Sequence, residues 1–324
     1  MKSIIFLGAG ASKAEGAPLQ NELLFEYFKE YANKKDKYYN ILRDFFLKTY
    51  NLDVCQTKIF PTIEEILGLL YTSEKNQQSF YFDINKIKEA IIFSMGEILD
   101  KKIKHPATFH FKLIEKLKAQ NVLQDIIFVT TNYDTLIDRA IYANHINIDY
   151  GVYHVDDFHG SNTVSLFKIY GSLNWLYCDV CDAFVISSYK KSVLNEVAQN
   201  YLVCKKCNNQ YKIVLIPPTF YKEIWNYHLN NIYHDLNKQL YDVEQLIFCG
   251  YSFPDADIYI KFILKRAEIY RNKPFKVLVI NDHEDKSTIK RKRERDKYNL
   301  FFNNTVEYKE ISFQEYVNHP ILEF

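Results

Sequence analysis

The sequence predicts an α/β fold built on a parallel sheet, with a helical insertion and a small cysteine-bearing module. Short apolar runs recur along the chain, and each ends in small or polar residues, as buried strands of a parallel sheet do. A segment of roughly a hundred residues with helical spacing separates the first run from the second, although a crossover between parallel strands needs only about 10–12 residues. Four cysteines stand in two close pairs.

The first element is a predicted strand at residues 4–7, followed by a glycine-rich turn. Gly8, Gly10 and Ser12 come directly after this strand, and a helical pattern follows. This order is typical of a Rossmann-like dinucleotide-binding unit, in which the backbone turns tightly beside a pyrophosphate. Lys13 takes the place of the third glycine of the usual fingerprint. Any other α/β protein that begins with strand, turn and helix therefore remains an alternative.

Residues 21–120 are predicted to be mostly helical. Leu23, Leu24, Tyr27, Phe28 and Tyr31 share one helix face. Another helix is predicted to begin after Thr62, with Glu65 three positions on, as in a capping box. A further helix is predicted near residues 84–101. An insertion at this place in such folds can lie over the ligand crevice.

The second strand is predicted at residues 125–130, and polar residues follow it. Thr131, Asn132 and Asp134 lie at its carboxyl end, where parallel sheets place ligand-facing groups. The alternative is a turn in which Asp134 caps the helix of residues 135–142. Further runs that end in small or polar residues are predicted as strands around 166–175, 214–216, 245–249 and 275–280.

The composition excludes some classes of partner. The chain has 324 residues, and 41 Lys and Arg against 40 Asp and Glu give a net charge of +1, so the overall charge does not favour nucleic acid or a membrane surface. The basic stretch 286–297 is predicted to be a solvated helix face. No apolar run approaches the ~20 residues of a membrane span, and no signal-like segment begins the chain. A cytoplasmic protein with reduced cysteines is therefore expected.

The paired cysteines predict a structural zinc site. The ligands are Cys178, Cys181, Cys204 and Cys207, which form two C-x-x-C pairs. Two such pairs fill a tetrahedral shell and leave no open position, so the metal is expected to hold a small module together. Redox activity is the alternative. Cys55 and Cys249 are predicted to be buried in apolar surroundings.

In their order along the chain, these motifs resemble the sirtuin superfamily. The resemblance rests on the four cysteines and on Gly8-Ala9-Gly10-Ala11-Ser12, Gly16-Ala17-Pro18, Pro106 with His110, Thr131-Asn132-Tyr133-Asp134, Gly171-Ser172, Gly250-Tyr251-Ser252 and Asn281. Residues 62–65, 171–175, 216–220 and 250–257 resemble bacterial sirtuin-like domains. Members of that branch are known chiefly as NAD-consuming effectors of anti-phage systems.

The resemblance implies that NAD binds at the glycine turn and is cleaved at its nicotinamide ribose. It implies nucleotide contacts from Gly8, Ala9, Gly10, Ser12, Pro18, Thr131, Gly171, Gly250, Ser252 and Asn281. It also places Asn132, Asp134 and Tyr170 at the reacting ribose. There Asn132 would position water or the nicotinamide amide, and Asp134 would fix the pocket.

Two departures from the sirtuin pattern bear on the reaction. Tyr170 stands where sirtuins have a histidine, and the Phe-Arg pair that follows Pro18 in sirtuins is missing. Deacylation needs a base near neutral pH, which histidine with a pKa of about 6.5 supplies and tyrosine with one of about 10 does not. The prediction is an NAD+ hydrolase. An NAD- or nucleotide-binding regulatory subunit with little catalysis and an NAD-dependent deacylase remain the alternatives.

The predicted domain division follows these motifs. Residues 1–20, 121–177 and 212–324 are expected to form the Rossmann-like domain, residues 21–120 the helical insertion and residues 178–211 the zinc-ribbon module. Because an NAD-depleting enzyme must be held inactive, the resemblance also implies a homo-oligomer or a complex with a sensor protein.

Overall fold

A computed structural model describes most of the chain. It covers residues 2–34, 36–77, 82–103, 108–152, 162–187, 192–199, 201–216, 227–271, 273–282, 287–303 and 306–320. Pro106 and residues 217–220, on which part of the family resemblance rests, lie outside these ranges.

Within the described ranges, ten strands form two sheets. They are β1 Ser3–Leu7, β2 Ile126–Thr130, β3 Asn147–Asp149, β4 Thr163–Lys168, β5 Gly171–Tyr177, β6 Phe184–Ile186, β7 Lys212–Leu215, β8 Gln245–Cys249, β9 Lys276–Ile280 and β10 Val306–Lys309. Seven of them form a parallel sheet in the order β10-β9-β8-β1-β2-β4-β3. This sheet confirms the predicted α/β class.

Twelve α-helices are found in the described residues. They are α1 Ala9–Lys13, α2 Leu23–Tyr31, α3 Lys37–Tyr50, α4 Ile63–Lys75, α5 Ile84–Lys102, α6 Thr108–Ala119, α7 Leu136–Ala143, α8 Leu194–Ala198, α9 Tyr227–Asp242, α10 Ile258–Tyr270, α11 Thr288–Phe301 and α12 Phe313–Asn318. None of the described helices has the length and apolar character that a membrane span requires.

The order in which strands are added to the sheet reverses between β1 and β8. From β1 the chain adds β2, β4 and β3 on one side, whereas β8, β9 and β10 extend the sheet on the other. Residues of β1, β2 and β8 are all buried, which explains why these strands read as continuous apolar runs. In an open parallel sheet, the crevice at the carboxyl ends of such a switch point is the usual place for a ligand.

The helical insertion has its own hydrophobic core. Helices α2 and α3 both pack against α5, and the apolar face predicted for residues 23–31 is buried in this core. The capping box predicted for α4 is present, because the Thr62 side chain accepts from the Glu65 backbone and the Glu65 side chain accepts from the Thr62 backbone.

The second sheet differs from the sequence prediction in its pairing. β5 pairs antiparallel with β6 and β7, so residues 171–175 and 214–215 belong to this small sheet and not to the rim of the large one. The sheet carries the cysteine pairs, which follow β5 and precede β7. The proposed domain boundaries, which cut between these strands, stay a prediction.

Candidate functional site

The turns after β1 and β8 touch at the switch point. The Gly8 amide donates to the Cys249 carbonyl at 2.9 Å, and the Gly10 amide donates to the Gly250 carbonyl at 2.8 Å. A Cβ atom on Gly8 would lie 2.5 Å from the Gly250 oxygen, and one on Gly10 would lie 2.7 Å from the Gly250 Cα. In this structure, the glycines therefore allow the turn after β1 and the turn after β8 to approach one another closely.

A polar network joins β1 to β2 beside this contact. The Asn132 side chain donates to the Gly8 carbonyl at 2.9 Å and to Ser12 Oγ at 2.8 Å. Ser12 Oγ donates in turn to Asp134 Oδ2 at 2.7 Å. Ser12 and Asp134 are buried, whereas Asn132 is half-buried. Asn132 is thus held in a fixed orientation just after the carboxyl end of β2.

Asp134 also contacts a buried ion pair through its backbone carbonyl. Its Oδ1 accepts from the amide of Leu136, the first residue of α7, at 3.0 Å. The N-cap position of α7 is Thr135, whose side chain makes no capping hydrogen bond. The Lys168 ammonium donates to the Asp134 carbonyl and lies 2.9 Å from Asp138 Oδ2. Tyr150 donates to the other oxygen of Asp138. The charges of Lys168 and Asp138 are fully buried and compensate one another.

Tyr170 lies inside the protein and contacts an acid of the β8–α10 turn. Its hydroxyl donates to Asp257 Oδ1 at 2.5 Å, and the Tyr251 hydroxyl donates to Asp257 Oδ2 at the same distance. Burial, followed by the charge of Asp257, raises the pKa of Tyr170 well above its usual value. Tyr170 therefore stays protonated at neutral pH and acts as a hydrogen-bond donor.

The other predicted site residues divide by burial. Those that are exposed or half-buried are Ala9, Gly10, Pro18, Thr131, Gly250 and Ser252. Those that are buried are Gly8, Gly171 and Asn281. The Asn281 amide donates inward to the Tyr251 carbonyl at 2.9 Å and to Glu294 Oε1 at 2.5 Å. Its predicted contact with the nucleotide stays a prediction.

Glu15 binds the segment after α1 to the start of α6. This buried carboxylate accepts from the Thr108, Phe109 and His110 amides at the start of α6, and it lies 3.4 Å from His110 Nδ1. Burial raises the pKa of Glu15, but the hydrogen bond and charge interaction with His110 and the amide donors outweigh it, and the pKa lies below its usual value. His110, part of the resemblance, is thus buried against the segment that follows α1.

The four cysteines of the zinc prediction converge. They are Cys178, Cys181, Cys204 and Cys207, and their sulfurs all lie within 4.8 Å of one another. Two sulfur pairs are 3.4 and 3.5 Å apart, close to the about 3.8 Å edge of a tetrahedron with Zn–S bonds of about 2.3 Å. Asp182 and Asn208, which follow the two pairs, adopt positive φ and turn the chain back at each pair. This donor set fits zinc.

Comparison with known proteins identifies the family. The family model described as SIR2-like domain matches residues 126–302, more than half of the chain. The chain belongs to the SIR2-like domain family. No curated protein matches the SIR2-like chain.

Solved sirtuin structures are similar to the SIR2-like chain at low identity. Sir2Tm bound to a propionylated peptide is 12% identical, with 98% of this chain and 90% of that chain covered and a TM-score of 0.43. A sirtuin solved for the structural basis of substrate affinity is 13% identical, with 98% and 92% covered and a TM-score of 0.46. Sir2 with a p53 peptide and NAD+ is 13% identical, with 98% and 90% covered and a TM-score of 0.41.

The sequence did not predict two residues of the candidate site. Lys168 is charged within the apolar stretch Leu166-Phe167-Lys168-Ile169, and a buried charge of this kind signals a buried partner. Asp257 lies within the segment 250–257 that carries the family resemblance, and no local pattern indicates that two tyrosines converge on it. Cys249 is buried as predicted, but the prediction for Cys55 was wrong, because it is exposed.

Zinc analysis provides the first test of the SIR2-like chain. Purified protein is expected to carry about one zinc per chain, and Cys204→Ser is expected to lose the metal and lower the melting temperature, because metal binding stabilises the folded module. Metal content by mass spectrometry and thermal melting would measure both. The exposed Cys55→Ser is the control. A metal-free wild-type protein that melts like the Cys204→Ser variant would contradict the zinc assignment.

A pH-dependent loss of stability is expected for Glu15→Gln. At pH 7 the change should lower the free energy of unfolding by about 1–3 kcal/mol, because buried amide donors lose a charged acceptor. Since the folded pKa of Glu15 lies below its usual value, wild-type Glu15 stabilises the fold above the unfolded pKa. The difference in the free energy of unfolding between the wild type and Glu15→Gln should therefore shrink as the pH falls through the folded pKa of Glu15. Denaturant unfolding at several pH values measures this difference, and Glu115→Gln, at an exposed residue, is the control. A difference that does not change with pH would contradict the role assigned to Glu15.

Proposed function

We propose that this chain is an NAD+ glycohydrolase. In the proposed reaction, water replaces nicotinamide at C1 of the ribose, and the products are nicotinamide, ADP-ribose and a proton. The observation that carries the proposal is the position of Asn132, which is held at the crevice of the topological switch point in a SIR2-like chain. That crevice is where open parallel sheets bind nucleotides.

The proposed binding mode places the pyrophosphate over the turn after β1. Ala9 and Gly10 are accessible there, and Ser252 is exposed on the facing turn. Asn132 would then orient the water or the nicotinamide amide beside the cationic ribose that develops as the bond breaks. Ser12 and Asp134 act as positioning residues in this scheme, because both side chains are buried, Ser12 accepts from Asn132, and Asp134 accepts from Ser12.

The environment of Tyr170 favours hydrolysis over deacylation. Deacylation in the sirtuin manner needs a base that removes a proton from a ribose hydroxyl. Burial and the charge of Asp257 raise the pKa of Tyr170 well above its usual value, so its hydroxyl is a donor at neutral pH. The same observation favours a second candidate, a regulatory subunit that binds NAD+ and turns it over little.

We also propose that the chain is the NAD-depleting effector of an anti-phage system. The support is the resemblance of residues 62–65, 171–175, 216–220 and 250–257 to bacterial sirtuin-like domains. A cell that carries such an enzyme survives only if its activity is held low. The proposal therefore includes activation by self-assembly or by a sensor protein.

The experiment is a product assay in two assembly states. The chain alone and the chain co-expressed with the product of a neighbouring gene are each separated by size exclusion and incubated with NAD+. Nicotinamide and ADP-ribose are expected to form in equal amounts without any acylated peptide, and faster in the assembled state. Formation of O-acyl-ADP-ribose only when an acylated peptide is added would favour deacylation. Binding of NAD+ without turnover in both states would favour the regulatory subunit.

A further inference from the structure

The outer face of α10 carries an exposed apolar stripe. The inner face of this helix is buried in the core through Ile260, Ile263, Leu264 and Ala267. On the outer face, Ile258 is 57%, Phe262 56% and Ile269 62% exposed. Large apolar side chains at such spacing on a solvent-facing helix are typical of a surface that a partner covers.

The stripe forms one wall of an open groove. Phe301 at the end of α11 lines the groove together with Phe262 and Ile269, and the groove has a volume of about 540 Å³. Helix α10 has 13 residues, which corresponds to a length of roughly 20 Å. A second helix lying along this face of α10 would contact it over about this length.

Cationic side chains border the apolar groove. Lys261, Lys265 and Arg266 line it. Lys265 is paired with Glu268, and Lys261 lies 3.6 Å from Asp255. Arg266 is exposed. Three cations against the paired Asp255 and Glu268 leave the border of the groove a net charge of +1, which an acidic partner would complement.

An apolar groove with a cationic border favours one kind of partner over others. A nucleic acid would gain from the cations but would leave the apolar centre without a matching surface. A second copy of the chain would pair the face with itself, because a two-fold interface is isologous, and would bring the cationic borders together. An amphipathic helix with acidic flanks satisfies both the centre and the border.

We propose that the α10 groove binds an amphipathic helix of a partner protein, with its apolar side chains on Phe262, Ile269 and Phe301 and its acidic flanks at Lys261, Lys265 and Arg266. In this mode of recognition, an amphipathic helix lays its apolar face into a hydrophobic groove. The inference concerns binding alone, so it stands or falls separately from NAD+ hydrolysis.

The test uses three labelled peptides of 18 residues and the full-length chain. The first has leucines at helical spacing with glutamate flanks, the second has lysine flanks, and the third is a scrambled form of the first. Fluorescence anisotropy should show saturable binding of the first peptide only. Phe262→Glu should weaken this binding at least about tenfold, as loss of a central aromatic contact commonly does. Leu47→Glu, which changes an exposed leucine on α3, should leave it unchanged.

Several outcomes would overturn the proposal. These are absence of binding by the acidic peptide, equal binding of its scrambled form, tighter binding of the lysine peptide, or displacement of the acidic peptide by single-stranded DNA. A dimer in sedimentation that dissociates in Phe262→Glu would assign the face to a second copy. Ile269→Glu repeats the test if Phe262→Glu melts below the wild-type protein.

Discussion

Asn132→Ala is expected to lower the rate of nicotinamide release by ~10²-fold or more, as the loss of one oriented polar contact at a developing charge commonly does. The Asn132 amide nitrogen is held by the Gly8 carbonyl and by Ser12 Oγ, so its carbonyl oxygen keeps one orientation at the crevice. Alanine removes that oxygen. The measurement is the initial rate of nicotinamide release by the assembled protein under saturating NAD+.

The control for this change is Asn85→Ala, which alters an exposed asparagine near the start of α5. Its rate should equal that of the wild type. The melting temperature and zinc content of the Asn132→Ala variant should also match the wild type, which separates a lost contact from a damaged fold. A rate within about tenfold of the wild type would remove Asn132 from the proposed mechanism, because ~10²-fold or more is expected from one oriented polar contact at a developing charge.

The largest expected loss of stability is that of Lys168→Met. Lys168 and Asp138 are each fully buried and 2.9 Å apart. Removing the cation leaves the Asp138 carboxylate uncompensated in the core and the Asp134 carbonyl without its donor. The free energy of unfolding is expected to fall by about 3–5 kcal/mol. Chemical denaturation monitored by fluorescence measures this loss.

Two further variants separate charge from packing at this pair. The double variant Lys168→Met with Asp138→Leu should recover part of the stability, because replacing both charges of a buried pair by apolar groups costs less than removing one. Lys238→Met breaks an exposed pair with Asp235 and should cost less than about 1 kcal/mol. Equal losses for Lys168→Met and Lys238→Met would contradict the account of the buried pair.

Local patterns predicted the strands of the large sheet that lie at its centre. β1, β2 and β8 are buried on both faces, so each is a continuous apolar run that single-sequence reasoning detects. β3 and β10 were missed because they are edge strands of 3 and 4 residues with exposed positions. The pairing of β5 with β7 was missed because an apolar strand does not carry information about which sheet it joins.

The sequence predicts where a candidate site would lie but not the contacts within it. Glycines and polar residues at strand ends indicated the crevice after β1 and β2. The bonds from Asn132 to Ser12 and from Tyr170 to Asp257 connect residues 120 and 87 positions apart, and no local pattern specifies such pairs. The cysteine pairs were predictable because metal ligands must follow a short, regular spacing.

Equilibrium binding of NAD+ tests the central claim most directly, since it does not depend on the activating signal. Ala9 is exposed at the start of α1 beside the glycine turn. Ala9→Glu places a negative charge where the pyrophosphate is proposed to lie, while an acid at the start of a helix does not disfavour folding. Tyr201→Glu, at an exposed aromatic residue of the cysteine module, is the control.

The measurement is isothermal titration with a carbocyclic NAD+ analogue that cannot be hydrolysed. The wild type and Tyr201→Glu are expected to bind it equally, and Ala9→Glu is expected to bind at least about tenfold more weakly, about 1.4 kcal/mol, with an unchanged melting temperature. Equal binding by Ala9→Glu, or no binding by the wild type, would contradict an NAD+ site at the β1–β8 switch point.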